Sequence, residues 1–264
     1  MLDFNHRPTL SEKLTELIDQ ALVSEQALQK PREYLGASRL GIECNRQLQY
    51  EYTHTPKDEG FSGRILRIFE AGHVFEELAI NWLRAADIRL ITRKSDGSQF
   101  GFSAAGGRIQ GHVDGIIADA PDALDVFLGL SPSGLSPLGL RPFPMLWECK
   151  SLNAKSWKDT VKQGLTKSKP VYAAQIALYQ AYMEASVPEI SKNPALFTAI
   201  NKDTAELYFE LISFDAALAQ KASDRAITIL KATEAGELLP RVAQDSTYVE
   251  CRFCAYRNRC WEGH

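Results

Sequence analysis

The chain has 264 residues, 45% of them hydrophobic and 24% charged, and this ordinary globular composition argues against disorder, collagen-like repeats and coiled coils. At about 150 residues per domain, the length leaves one large domain or two small ones open. The formal net charge of -3 by itself argues against a strongly basic nucleic-acid binder. Because there is neither a bilayer-length apolar run nor a secretory signal at the start, we expect a cytoplasmic protein with no membrane contact.

Hydrophobic periodicity predicts helices and strands along most of the chain. An amphipathic helix is predicted from Leu10 to Leu28, with Thr9 and Glu12 as a capping box and Pro31 as its stop. The other predicted elements are a helix within 38–52, a helix over 65–86, strands over 89–93, 107–118 and 145–152, a loop insertion over 121–144, a helix over 170–187, a hairpin of 195–201 and 206–214, and a helix over 215–236. This order predicts a mixed α/β fold.

Lysines are concentrated directly after the strand predicted over 145–152. Six lysines and one acidic residue lie between positions 150 and 170, whereas the flanking segments are net acidic. A local basic stripe can attract phosphate whatever the total charge is, and a solvated lysine-rich face is the alternative. Beyond Lys150, the stripe consists of Lys155, Lys158, Lys162, Lys167 and Lys169.

Five cysteines are present, and three of them form the motif Cys251-x2-Cys254-x5-Cys260. In a cytosolic chain, such spacing favours a metal site or a catalytic thiol over disulfides. Cys44 is the natural fourth ligand, because Cys149 lies in an apolar run that predicts a strand. Four thiolates suit zinc or an iron-sulfur cluster equally, and three unrelated thiols are the alternative. A ligand set drawn from both ends of the chain would favour one domain.

Charged residues interrupt two of the apolar strands. Alternation predicts that His112, Asp114 and Ile116 share one face, and that Glu148 and Lys150 lie together on the neighbouring strand. Carboxylate oxygens suit Mg²⁺ or Mn²⁺, which can lower the pKa of a bound water and neutralise charge on a phosphate. A surface ion pair is the alternative, but the apolar flanks argue for a buried partner or a function.

Two polar residues follow the lysine stripe at helical spacing. Gln175 and Tyr179 are four residues apart and therefore lie on one face of the predicted helix. Their amide and phenol groups could hold a phosphate or a stacked base, and ordinary helix packing is the alternative.

Taken in chain order, these motifs resemble the PD-(D/E)XK nuclease superfamily in its RecB-like branch. The motifs that carry the resemblance are Gly72-His73-x2-Glu76, Gly111-His112-Val113-Asp114-Gly115, Glu148-x-Lys150 and Gln175-x3-Tyr179. One cysteine before them and three after them are similar to the iron-sulfur nucleases, which include the CRISPR-associated Cas-four proteins and the nuclease domain of AddB. Residues 150–157 and 169–175 also look like phage relatives of this branch. The resemblance spans residues 38–260.

The resemblance implies a restriction-endonuclease-like core, in which a central mixed sheet is flanked by helices. It implies that Asp114 and Glu148 bind the metal, with the carbonyl of Cys149 as a further candidate ligand. Glu76 is the expected extra ligand and His73 the second choice. Lys150 would be the catalytic lysine, and Gln175 and Tyr179 match the RecB-like motif. A [4Fe-4S] cluster, or zinc as the lesser alternative, would be bound by Cys44, Cys251, Cys254 and Cys260.

The resemblance further implies metal-dependent hydrolysis of DNA that is single-stranded or has free ends, frequently by exonuclease action. DNA would contact Arg46, Lys155, Lys158, Lys162, Lys167 and Lys169. We expect one nuclease domain over 1–264, with a helical extension (1–36), a core (61–240) and a cluster region formed by 38–60 and 241–264. The alternatives are a catalytically weak DNA-binding or assembly subunit of a repair, recombination or CRISPR-adaptation complex, with protein partners there, and a zinc-ribbon interaction protein.

Overall fold

The structure is a computed structural model that describes residues 7–128 and 141–263. Its helices are α1 (Leu10–Leu28), α2 (Asn45–Tyr52), α3 (Gly63–Ala85), α4 (Ala154–Gln163), α5 (Leu165–Ser168), α6 (Pro170–Met183), α7 (Ala216–Glu234), α8 (Val249–Arg252) and α9 (Arg257–Glu262). Its strands are β1 (Leu35–Gly36), β2 (Arg89–Ile91), β3 (Gly101–Ala104), β4 (Ile109–His112), β5 (Gly115–Asp119), β6 (Met145–Leu152), β7 (Ala195–Asn201) and β8 (Leu207–Ile212).

A five-stranded mixed sheet in the order β2-β5-β6-β7-β8 forms the centre of the fold. Strands β6 and β7 run parallel, and the other neighbours are antiparallel. Helix α6 packs into the larger apolar cluster together with α7, whereas α3 packs on the opposite face of β6 against Met145, Trp147 and Cys149. The prediction of a mixed α/β fold with a central mixed sheet flanked by helices is confirmed.

A second, three-stranded sheet in the order β1-β4-β3 corrects one predicted strand. The segment 107–118 forms two strands in different sheets, and the chain passes from one sheet to the other at Val113 and Asp114. His112 therefore lies exposed in β4 and Asp114 lies outside both strands, so the prediction that they share a face with Ile116 is wrong. The cause is long-range pairing, since β4 pairs with β1 and β3 whereas β5 pairs with β2 and β6.

Most other predicted elements are confirmed within one to four residues at their ends. The capping box of α1 is formed by Thr9 and Glu12, and the side chain of Asp215 accepts a hydrogen bond from the first turn of α7 at 2.9 Å. The helix predicted within 38–52 begins only at Asn45, after a short 3-10 turn over Ala37–Arg39. The lysine stripe forms α4 and α5, which were not predicted, and neither was β3. Of the predicted insertion over 121–144, residues 129–140 lie outside the described residues.

The first helix is attached differently from the rest of the fold. None of its residues is fully buried, and it packs along α3. A Cβ atom on Gly63 would lie 2.4 Å from the Cα of Asp19, so the absence of a side chain at Gly63 allows the close approach of the two helices. The described residues contain no helix that is both long enough and apolar enough to span a membrane.

Candidate active site

The candidate active site lies where β5 and β6 separate. Their pairing ends at Gly115 and Trp147, so the next residues of β6 lack a strand on that side. The carboxylate of Asp114 fills this position and accepts a hydrogen bond from the backbone N–H of Cys149 at 2.8 Å. The residues of β6 that follow Glu148 point alternately to the two faces of the sheet. Side chains on both faces therefore border this opening.

Glu148 is the centre of the site. Its side chain is fully buried, at 0% exposure. One carboxylate oxygen accepts hydrogen bonds from Lys150 and, at 2.6 Å, from the side-chain amide of Gln175. The other oxygen, Oε2, has no hydrogen-bond partner among the described residues. An unpartnered carboxylate oxygen in the interior is costly, and this cost is removed when a cation or a proton binds there.

The charges of the site perturb one another strongly. Burial, followed by the charge of Asp114, raises the pKa of Glu148 to about 8. The same two causes raise the pKa of Glu76, on α3, to about 7. Burial acts to lower the pKa of Lys150, but the carboxylates of Glu148 and Asp114 outweigh it and the pKa is raised. Lys150 is thus protonated at neutral pH, whereas Glu148 and Glu76 are largely or partly protonated there, and a further positive charge would favour their ionised forms.

The carboxylates supply two donors in a suitable place for a divalent cation. Mg²⁺ is commonly held by one or two carboxylates, with water and substrate phosphate completing its coordination. Asp114 and Glu148 fit this pattern, because both approach Lys150 and Glu148 retains a free oxygen. Among the described residues, no three His, Cys, Asp or Glu side chains are arranged to hold one metal ion. Glu76 is half-buried and His73 is exposed, and their roles as a third ligand stay predictions.

The two predicted residues of α6 have different surroundings. Gln175 is buried and contacts Glu148, as described above. Tyr179 is only 3% exposed and packs edge-on against Phe102, with ring centroids 5.7 Å apart. Tyr179 nevertheless stays within electrostatic reach of the site, because burial, followed by the charge of Glu148, raises its pKa. A second aromatic residue, Tyr172, also lies beside Lys150, with its ring centroid 5.4 Å from the Nζ. Tyr172 occurs in the stretch Lys169-Pro170-x-Tyr172 but was not among the predicted site residues.

The predicted DNA-contacting residues fall into two groups. The lysines of α4 and α5 are exposed, namely Lys155, Lys158, Lys162 and Lys167. Lys169 is half-buried and donates a hydrogen bond to Ser156 at 2.5 Å. Arg46 lies elsewhere, because its guanidinium group donates to the carbonyl of Leu239 at 2.5 Å and lies 3.7 Å from the sulfur of Cys260. The structure therefore places Arg46 beside the cysteines rather than among the lysines.

Four cysteines line one cavity between the two ends of the described chain. They are Cys44, Cys251, Cys254 and Cys260, although no three of these thiols are arranged, among the described residues, to hold one metal ion. Cys149 lies apart from them, on the face of β6 that packs against α3. Burial raises the pKa of the Cys254 thiol to about 11 and also raises that of Cys251. The raised pKa values of Cys251 and Cys254 favour the protonated thiols when no cation is bound, and metal binding would have to release these two protons.

The cysteine cavity is also held together by contacts that involve no metal. Asp58 accepts a hydrogen bond from the backbone of Asn258 at 2.6 Å. The rings of Tyr50 and Tyr256 lie 5.2 Å apart. These contacts join the segment after α2 to the carboxyl-terminal helices, although the division of the chain into domains stays a prediction.

The sequence patterns did not predict four residues that line a second cavity. Arg64 and Arg67 of α3, Ser151 of β6 and Lys202 after β7 line a cleft of about 290 Å³, which we call the arginine cleft. No local pattern joins these positions, since they meet only through the packing of α3 against the sheet. The sole sequence signal is the pair of arginines three residues apart on one helix.

The raised pKa values predict how stability depends on pH when no divalent cation is present. Glu76 and Glu148 have pKa values of about 7 and about 8 against an ordinary value of 4.5. A raised pKa in the folded state gives stability that is complete below the unfolded value and is lost as the pH rises through the folded value. In EDTA, we therefore expect the unfolding temperature to fall between about pH 5 and pH 8.

A Glu148→Gln variant should lose part of this pH dependence, because the glutamine does not titrate. The matched control is Glu70→Gln on the exposed side of α3, which should keep the wild-type profile because the charge of Glu70 does not contribute to the raised pKa of Glu76 or Glu148. An unfolding temperature that stays level or rises over this interval would contradict the assignment.

Solved structures similar to this one include the following three. The crystal structure of SSO0001 matches with a TM-score of 0.47 and 15% identity, over 92% of this chain and 94% of that chain. The crystal structure of an alkaline exonuclease, LHK-Exo, from Laribacter hongkongensis matches with a TM-score of 0.48 and 14% identity, over 82% and 93% of the two chains. The structure of LHK-Exo in complex with dAMP matches with a TM-score of 0.49 and 14% identity, over 84% of this chain and 93% of that chain. No family model and no curated protein matches the chain.

Proposed function

We propose that the protein is a metal-dependent DNA nuclease that hydrolyses phosphodiester bonds. The observation that carries this proposal is the fully buried Glu148, which has an unpartnered oxygen next to Asp114 and Lys150 at an opening in the sheet. A carboxylate that served only as half of an ion pair would not need a second carboxylate beside it. The order of the motifs along the chain resembles the RecB-like PD-(D/E)XK nucleases and supports the same function.

Asp114 and Glu148 would hold Mg²⁺ or Mn²⁺, with the carbonyl of Cys149 and Glu76 or His73 as further proposed ligands. The bound cation would lower the pKa of a water molecule and neutralise charge on the phosphate. Gln175 fixes one oxygen of Glu148, and the other oxygen would be available to hold the cation.

Lys150 has a defined role in this reaction. Its pKa is raised by Glu148 and Asp114 once their charges outweigh the effect of burial, so the ammonium group remains protonated. In this state it is a hydrogen-bond donor. It would donate to the attacking water or to the phosphate oxygens, where negative charge accumulates during the displacement. Tyr172, whose ring faces the ammonium group, helps to hold Lys150 in position.

We propose DNA, single-stranded or with free ends, as the substrate, and exonuclease action as the mode of cleavage. The exposed lysines of α4 and α5 support a polyanionic substrate, because they extend from the strand that bears Lys150. The proposal also includes a single domain, a cytoplasmic location, and protein partners in recombination or CRISPR adaptation.

We further propose that the four cysteines bind a structural [4Fe-4S] cluster, with zinc as the lesser alternative. The supporting observation is that Cys44 and the three carboxyl-terminal cysteines line the same cavity, although they are more than 200 residues apart in the chain. Arg46 would then lie next to a cluster sulfur ligand, Cys260, and would balance its negative charge.

The experiment that tests the nuclease function is an assay on end-labelled single-stranded DNA. With Mn²⁺, the wild-type protein should release short products, and EDTA should stop the release. Substrates that are blocked at the 5′ end, at the 3′ end or at both ends report polarity, and an exonuclease should fail on the doubly blocked DNA. Binding without hydrolysis under all conditions would instead favour the DNA-binding or assembly subunit.

A further inference from the structure

The arginine cleft opens close to the candidate active site but contributes no residue to the reaction proposed above. Ser151, which lines it, directly follows Lys150 in β6. A Cβ atom on Gly72 would lie 3.5 Å from the hydroxyl oxygen of Ser151, so α3 and β6 are in close contact here. Gly72 precedes Glu76 by four residues, which is about one helical turn or roughly 6 Å. Ser151 points to the α3 face of β6, opposite to Lys150, so the cleft reaches the site through α3, one turn before Glu76, and not along the face that bears Lys150.

The cleft presents three cationic side chains, and their counter-ions are weakly held. Arg67 pairs with Asp19 of α1, and Lys202 pairs with Asp203 at 3.0 Å. All four of these side chains are between 30% and 44% exposed, so neither pair is a buried one. Arg64 is exposed and has no ion pair among the described residues. Solvent-exposed pairs contribute little stability, so an incoming anion with several oxygens can compete for these cations.

The remaining walls of the cleft suit a nucleotide better than a simple anion. Ile68 and the ring of Phe75 line the same cavity as the arginines. A cationic surface beside an aromatic side chain is the combination by which proteins hold single-stranded nucleic acid, since the cations bind phosphate and the ring contacts a base or sugar. The hydroxyl group of Ser151 adds a neutral hydrogen-bond donor for a phosphate oxygen.

Helix α1 covers part of this cleft with a carboxylate. Asp19 is the residue of α1 that pairs with Arg67, and its backbone lies against Gly63 at the start of α3. Three further acidic residues lie in α1, with one lysine. Because no residue of α1 is fully buried, the helix can move away from α3 at a lower cost than an element of the core.

We propose that the arginine cleft binds a backbone phosphate of the nucleic-acid strand next to the phosphate that is hydrolysed, and that this phosphate displaces Asp19 from Arg67. The inference rests on the proposed nuclease function for its choice of ligand. The cleft then fixes the register of the nucleic-acid strand relative to Lys150. Helix α1 lowers the affinity of the cleft for anions that are too short to reach both the cleft and Lys150.

The test measures binding rather than hydrolysis, so that its outcome is separate from that of the nuclease assay. A fluorescein-labelled single-stranded oligothymidylate is titrated with the full chain in EDTA, and anisotropy is recorded between about 50 and 200 mM salt. Arg64→Gln and Arg67→Gln should each weaken binding about three- to fivefold. Each should also reduce the salt slope by about 0.7, the value for one lost phosphate contact on a single strand. Asp19→Asn should tighten binding, because Arg67 loses its competitor.

The control is Lys221→Gln, an exposed lysine of α7 that does not line the cleft. If both arginine variants match this control in affinity and slope, or if the wild-type chain binds no oligothymidylate, the cleft is not a strand-binding site. Unchanged binding by Asp19→Asn would overturn the displacement of Asp19. Inorganic phosphate at matched ionic strength should not displace the strand, and full displacement would overturn the choice of a strand over free phosphate.

Failure of this test and failure of the nuclease proposal are distinguishable. If DNA is hydrolysed in Mn²⁺ and the arginine variants bind it as the wild type does, the cleft is refuted as a binding site and the proposed nuclease function is retained. The expected binding changes without any hydrolysis would leave the cleft as the binding site of a non-hydrolytic protein.

Discussion

Replacing Lys150 by methionine is expected to lower the rate of DNA hydrolysis by roughly a hundred- to a thousandfold, the cost of removing one preorganised charge that stabilises a transition state. Methionine is chosen because it preserves most of the volume of the lysine stem against Tyr172 while it removes the ammonium group. The measurement is the initial rate on end-labelled DNA in saturating Mn²⁺. The control is Lys155→Met, an exposed position of α4, which should change affinity for DNA with little effect on the maximal rate.

A second measurement separates a catalytic lysine from one that only supports the fold. Without Lys150, the carboxylates of Glu148 and Asp114 face each other with no cation between them, and the pKa of Glu148 should rise further. The residual activity of Lys150→Met should therefore increase more steeply with pH than that of the wild type, because cation binding requires ionised carboxylates. Equal rates for the wild type and Lys150→Met would show that Lys150 takes no part in catalysis.

Elements whose boundaries are set by local chemistry could be predicted from the sequence. Asp215 begins α7 because its side chain accepts from the first turn, and the β7–β8 hairpin follows from two apolar runs with a short connection. In contrast, the break between β4 and β5 could not be predicted, because the apolar alternation continues through Val113. That break depends on β4 pairing with Leu35 in the small sheet, which is a contact between distant parts of the chain.

In the candidate site too, some features could be predicted from local sequence patterns and others depend on long-range packing. The approach of Glu148, Lys150 and Gln175 follows from strand alternation and from the order of the motifs, and the structure brings these three together. The choice between Tyr172 and Tyr179 depends on the rotation of α6 about its axis, which is set by packing against Phe102 and by the α7 interface. Helical spacing alone assigns both tyrosines to plausible positions and cannot decide which one faces the lysine.

Replacing Cys254 by serine is expected to remove the brown colour of an anaerobically purified protein and to lower its unfolding temperature by on the order of 10 °C, at about 3 °C per kcal/mol for a chain of this size. The physical reason is that α8 and α9 have only four and six residues and cannot be stable as isolated helices. A cluster held by four cysteines would fix these helices to the segment that begins at Cys44. The measurements are the visible absorption spectrum, the iron content and thermal unfolding.

The matched control is Cys149→Ser, which changes a buried cysteine that does not line the cavity. It should retain the full visible absorption, even if the added hydroxyl lowers stability, since serine in an apolar core lacks a hydrogen-bond partner. Colour thus reports the ligand set, whereas unfolding temperature alone does not. A colourless wild-type protein that contains zinc would replace the iron-sulfur assignment with the zinc alternative. A protein with neither metal would be held together in this region by direct contacts such as those of Asp58 with Asn258 and of Tyr50 with Tyr256.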